Sequence, residues 1–181
     1  VGFSDAEYSR SDNYIEKHHA YPEKLTALGV ETPNEFPLRY PRVRVVQYDG
    51  IHFPFKDKAF DVCWSNAVLE HVGDENTMVI FLKEIKRVAR TVFLTTPNKY
   101  FPVEVHTRTP LLHFFPKPVF DSYLRRIGKG WAAGDYMHLL SLKPLRRLLE
   151  AAGMNGYRVI RDRFLGFVLD YVVIFRDLTH S

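Results

Sequence analysis

The chain has 181 residues, 46% of them hydrophobic and 25% charged, with a formal net charge of +4. That length and balance predict one globular domain that can bury a sizeable core, and they exclude a disordered or collagen-like chain. Cys63 is the only cysteine, which excludes an intrachain disulfide framework.

The chain opens VGFSDAEYSRSDNYIEK, and Lys24–Val30 reads as its first clear strand. Thr32–Pro41 carries Pro33, Pro37 and Pro41, which predict a loop or a one-turn helix. Val43–Gln47 is the next strand, followed by Asp49-Gly50. The loop His52–Ala59 holds Pro54 and the turn pair Lys56-Asp57. Phe60–Trp64 is a further apolar run, closed by Ser65-Asn66, and Cys63 within it reads as a buried, inert thiol. Asp74–Val88 predicts an amphipathic helix, with Met78, Phe81, Ile85 and Val88 on one face and Asp74 as N-cap. Thr91–Leu94 returns as a strand and runs into Thr95-Thr96-Pro97-Asn98. Lys99–Met137 contains Pro102, Pro110, Pro116 and Pro118 and the cluster LLHFF. It reads as an insertion of loops and short helices, including Pro118–Ile127. Ser141–Ala152 is the cleanest later helix, with Ser141 as cap, Leu142, Leu145, Leu148 and Leu149 on one face, and Gly153 as its stop. Tyr157–Phe164 and Leu169–Arg176 read as a closing strand pair turning at Gly166. Phe164–Phe175 is apolar but is interrupted by Asp170, and it is shorter than the about 20 residues a spanning helix needs.

The alternation of strands and helix from Val43 to Asn98 predicts a parallel sheet covered by helices. In such sheets ligands bind beyond the carboxyl ends of the strands, here Asp49-Gly50, Ser65-Asn66 and Thr95–Asn98. The same stretch carries YDG, HFPF, FDV, LEHV, FLKEIKRV and FLTTPN in that order. Together they resemble the core of the class I S-adenosylmethionine-dependent methyltransferases, in the group called methyltransferase type 11. The resemblance implies a Rossmann-like α/β fold with a mainly parallel sheet in the order 3-2-1-4-5-7-6 and an antiparallel seventh strand. Val1-Gly2-Phe3-Ser4 is similar to the tail of the family's glycine turn, so the first strand is expected to be truncated. The expectation is a single domain over 1–181, with a lid or insertion at about 99–138.

The resemblance also implies S-adenosylmethionine as cofactor. Gly2 would lie against its carboxypropyl group. The acid that holds the ribose hydroxyls would by register fall on Gly29, so Glu31, two residues on, is the candidate. Asp49 would accept from the adenine amino group, with Gly50 and Ile51 against the ring. Ser65 and Asn66 would lie beside the methionine part. His71 and His106 are the catalytic candidates, and Asn98 and Tyr100 lie on the substrate side. From the residues alone, Asp49-Gly50 also reads as a turn, Ser65-Asn66 as a cap, and His71 as a packing residue. Asp135 and His138 have ligand-like spacing, but no cysteine or His-Glu partner accompanies them, so no metal is expected.

The expected function is methyl transfer to a small-molecule, glycan- or lipid-like acceptor. The lid aromatics Phe101, Phe114, Phe115, Tyr123, Trp131 and Tyr136 are either its apolar wall or simply core. The alternative is a non-catalytic interaction module that has lost the glycine loop. The arginines and lysines read first as a solvated basic surface, and next as a face for nucleic acid, an acidic membrane or an anionic substrate. TPN is not the Asn-Pro-Pro-Tyr type of motif, which argues against a nucleic-acid substrate. No signal peptide is expected, and a cytoplasmic location is. Unpaired edges near Val1–Phe3 and Lys24–Val30 would favour a homo-oligomer.

Overall fold

The computed structural model describes residues 1–9, 11–104, 109–130, 133–134 and 138–177. The chain divides into two compact units, Val1–Lys56 and Asp57–Ser181.

In the first unit, β1 (Thr26–Gly29) pairs in parallel with β2 (Arg44–Gln47), Thr26 opposite Arg44 and Gly29 opposite Gln47. The expected strand from Lys24 is shorter at its start, because Pro22–Lys24 forms a 3-10 turn with proline at its first position. Two short helices complete the unit, α1 (Tyr14–His18) and α2 (Phe36–Arg39). The proline-rich segment therefore does form one helical turn. Its cap comes from far away in sequence: Asp5 Oδ1 accepts from the N–H groups of Asn34, Glu35 and Phe36 at 2.8–2.9 Å. That satisfies donors a helix start otherwise leaves orphaned. The core is Phe3, Ala27, Phe36 and Val43, with the Phe3 and Phe36 rings 4.7 Å apart.

The edges of β1 can be told apart by carbonyl alternation. Leu25 and Gly29 give their carbonyls to Arg44 and Tyr48, on the β2 side. Leu28 therefore points its carbonyl the other way, where it accepts from Gly2 N–H at 2.8 Å. Gly2 thus sits on the edge of β1 opposite β2.

In the second unit, β3 (Phe60–Asn66) lies parallel to β4 (Ala89–Pro97), joined by α3 (Glu75–Val88). β4 also pairs antiparallel with β8 (Phe167–Arg176), which pairs antiparallel with β7 (Arg158–Phe164). The order is β3-β4-β8-β7. β7 and β8 turn through Leu165-Gly166, both at positive φ, the handedness that matches strand twist in a two-residue hairpin. Within the first unit β2-β1 matches the 3-2 pair of the expected order, and within the second β3-β4-β8-β7 matches its 4-5-7-6 run, including the antiparallel seventh strand.

α3 buries Met78, Phe81, Leu82, Ile85 and Val88, the expected face plus Leu82. Asp74 caps it, accepting from Thr77 N–H at 2.8 Å. α5 (Leu142–Ala151) buries Leu145, Leu148 and Leu149. Ser141 occupies its N-cap position but makes no side-chain cap bond, contrary to expectation. Lys86 of α3 donates to Gly153 O at 2.6 Å, just past the end of α5. The inserted segment contributes a short pair, β5 (Val103–Glu104) and β6 (Thr109–Pro110), then α4 (Lys117–Arg126). No described helix is long and apolar enough to cross a membrane.

Candidate functional site

The first unit holds five of the candidates. Gly2 has a φ of 83°, as a glycine turn requires, and its N–H is taken by Leu28. Gly29 cannot be the ribose acid: a side chain there would begin 2.6 Å from the Phe3 ring. The close approach of Phe3 reserves that position for glycine, and the sequence candidate, Glu31, is exposed. Glu31 lines a cleft of about 510 Å³ with Phe3, Ser4, Asp5, Thr32 and Asn34. The residues that follow the glycine turn and the candidate ribose acid thus share one cavity wall.

Asp49 ends β2 in an exposed loop. Its Oδ1 accepts from Ile51 N–H at 2.8 Å and His52 N–H at 2.7 Å. Those two backbone bonds, His52 first, lower its pKa below the usual carboxylate value. The turn reading is therefore realised. Gly50 supplies its positive φ of 86°, and Ile51 keeps an exposed side chain while its N–H is engaged. Asp49 Oδ2 lies 3.7 Å from His52 Nδ1.

The second unit builds a polar rim where β3 and β4 end together, with Asn66 opposite Thr95. Ser65 is fully buried, and its Oγ has no hydrogen-bond partner among the described residues. Asn66 Oδ1 accepts from Thr95 Oγ1 at 2.6 Å, and Thr95 Oγ1 accepts from Ala67 N–H at 3.2 Å. His71 ends a 3-10 turn, Leu69–His71, directly after β3, and is half-buried.

Sequence reasoning passed over Glu70, which is fully buried. Its Oε2 accepts from Thr96 Oγ1 at 3.0 Å, and its backbone carbonyl accepts from His138 N–H at 2.7 Å. The available signal was a carboxylate inside the apolar run AVLEHV at a strand's carboxyl end. Tyr171 of β8 was missed as well. Its hydroxyl donates to Asn98 Oδ1 at 2.8 Å, and burial pushes its pKa up. Asn98 also donates through Nδ2 to Val168 O at 2.8 Å and accepts from Tyr100 N–H at 3.1 Å. Its amide therefore clamps β4 to β8, and the exposed ring of Tyr100 is the side chain presented outward.

His106, Trp131, Asp135 and Tyr136 lie outside the described residues. Among the described residues, no group of His, Cys, Asp and Glu could hold a metal. Cys63 is buried, and burial raises its pKa, as expected of an inert thiol.

The family model for a methyltransferase domain matches residues 21–91. No curated protein matches the sequence. A methyltransferase from Methanosarcina mazei, described as S-adenosylmethionine-dependent, is 17% identical. It aligns over 84% of this chain and 81% of its own, with a TM-score of 0.54. One from Aquifex aeolicus, also described as S-adenosylmethionine-dependent, is 18% identical over 90% of this chain and 73% of its own, with a TM-score of 0.51. The 1,6-didemethyltoxoflavin-N1-methyltransferase of Burkholderia thailandensis, solved with 1,6-didemethyltoxoflavin and S-adenosylhomocysteine, is 16% identical over 84% of this chain and 60% of its own. Its TM-score is 0.53. These likenesses establish the Rossmann-like fold. Residues 21–91 are those that match the methyltransferase domain, and over them the sequence match and the fold agree.

Proposed function

We propose that this chain binds S-adenosylmethionine and transfers its methyl group to a small-molecule, glycan- or lipid-like acceptor. The observation that carries the reading is the cleft that unites Phe3 and Ser4, after the glycine turn, with Glu31. The Ser65 hydroxyl at the carboxyl end of β3, buried and without a partner among the described residues, fits the same chemistry, since it leaves a donor for a ligand to satisfy. The Burkholderia enzyme's bound product and small aromatic substrate support it by analogy of fold.

Bound to this chain, the cofactor would supply an activated methyl on a sulfonium, already a good leaving group. The protein then has to align the acceptor and receive its proton. Glu31 would take the two ribose hydroxyls, and Asp49 Oδ2 the adenine amino group, leaving Oδ1 to hold the turn. Ile51 would face the ring through its side chain. Asn66, held by Thr95, would sit by the methionine part. His71 would accept the proton of an O–H or N–H nucleophile, and Tyr100 would line the acceptor side with His106. Glu70, fixed by Thr96, positions the turn that carries His71. The same reading places the protein in a reducing cytoplasm and allows association of two copies through a strand edge.

The specific observation favouring a non-catalytic module is that Gly2 N–H, Ile51 N–H and His52 N–H are all engaged within the chain. Calorimetric titration with S-adenosylmethionine and S-adenosylhomocysteine separates the two readings. Micromolar binding weakened about tenfold by Asp49→Ala supports the enzyme, as expected for loss of one hydrogen bond to a charged group. Absence of binding by the parent protein overturns it.

A further inference from the structure

The inserted segment exposes an apolar surface that the methyl-transfer reading does not use. Leu111, Phe115 and Val119 are each more than half exposed, and Phe114 and Ile127 are 47% and 40% exposed. Water normally drives such side chains inward, so a local concentration of five calls for an apolar contact. Leu111 adds a second anomaly. It holds a φ of 59°, a left-handed conformation that glycine or asparagine adopts at lower cost.

The surface also carries basic charge: α4 ends in Arg125 and Arg126, both exposed, with Asp121 as the acid among its described side chains. Phe120 and Leu124 anchor this helix inward, packed with Leu112 and Tyr123. Beside them Leu112, Val119, Phe120 and Tyr123 line an apolar cleft of about 470 Å³ that has Arg126 on its wall. Large apolar side chains, an amphipathic helix and a basic rim match the interface of an anionic bilayer, where aromatic rings enter the headgroup layer and arginines meet lipid phosphates.

We propose that the surface formed by Leu111, Phe114, Phe115 and Val119, with Arg125 and Arg126, docks this protein peripherally on anionic membranes. The proposal stands on this surface alone and is independent of methyl transfer.

Co-sedimentation tests it with vesicles of phosphatidylcholine alone and of phosphatidylcholine with phosphatidylglycerol. The protein should partition onto the anionic vesicles and not the neutral ones, and raising the salt to about 1 M should release it, as the screening length shrinks. At about 1 kcal/mol per basic residue, Arg125→Ala with Arg126→Ala should weaken partition roughly thirtyfold. Phe114→Ser with Phe115→Ser should weaken it at least tenfold, with an unchanged melting temperature. A labelling experiment locates the contact. Cys63 is buried and is the only cysteine, so Phe115→Cys accepts an environment-sensitive thiol dye selectively. The dye should shift to the blue on anionic vesicles. No partition, equal partition onto neutral vesicles, or partition without a dye shift each overturns the proposal.

Discussion

Ser65→Ala separates a ligand-binding hydroxyl from a merely structural one. The hydroxyl is fully buried and lacks a partner among the described residues. Such a group costs about 1–3 kcal/mol in the ligand-free protein, because it leaves its water bonds and gains none. Alanine removes that cost. It leaves an oxygen-sized void of roughly 15 Å³, which at about 24 cal/mol per Å³ takes back roughly 0.4 kcal/mol. The variant should therefore be more stable than the parent by about 0.5–2.5 kcal/mol. At about 3 °C per kcal/mol, that is a rise of several degrees in melting temperature by calorimetry. Its affinity for S-adenosylmethionine should fall about tenfold if the hydroxyl serves the ligand. A variant that melts below the parent would refute the reasoning, since it would show that the hydroxyl already has a partner to lose.

Other perturbations probe the two units separately. Hydrogen bonds from Tyr40, Asn13 and Lys17 outweigh the upward pull of burial on Glu7, and hold its pKa down to about 2 from an ordinary 4.5. A depressed carboxylate pKa stabilises the fold above the unfolded value and ceases to do so as pH falls through the folded one. Tyr40→Phe removes the 2.5 Å bond to Glu7 Oε1. It should cost about 1–2 kcal/mol at neutral pH, and its difference from the parent should shrink between pH 4.5 and about 2, by urea denaturation. Tyr171→Phe should cost about 1 kcal/mol, because Tyr100 N–H still serves Asn98 Oδ1 at 3.1 Å. A loss above about 3 kcal/mol would show that the hydroxyl holds more than Asn98. His71→Ala should lower methyl transfer by about 10²–10⁴-fold at unchanged cofactor affinity. Equal turnover removes its role as base.

Much of this molecule is legible in its sequence, and for a local reason. α3 was visible because its apolar face repeats at the helical period and Asp74 is a competent cap within its own turn. The β7–β8 hairpin was visible because two apolar runs flank a glycine, and the parallel β3–α3–β4 unit because strand and helix periods alternate over short distances. The motif order that carries the family resemblance lies in the same stretch. Each of these signals is written within about fifteen residues of where it acts.

What the tertiary structure decided lies in contacts between distant residues. Nothing near Asn34–Phe36 shows that Asp5 caps α2 from about thirty positions away. Glycine at position 29 had no local reason in the sequence; the Phe3 ring packed against it supplies one. Ser141, a sound cap by sequence, makes no cap bond. Glu70 and Tyr171 join the rim only because β4 brings Thr96 to one and Asn98 to the other. Local propensity determines which segments become helix or strand. The pairing of strands and the burial of polar groups depend on which surfaces meet, and only the folded chain determines that.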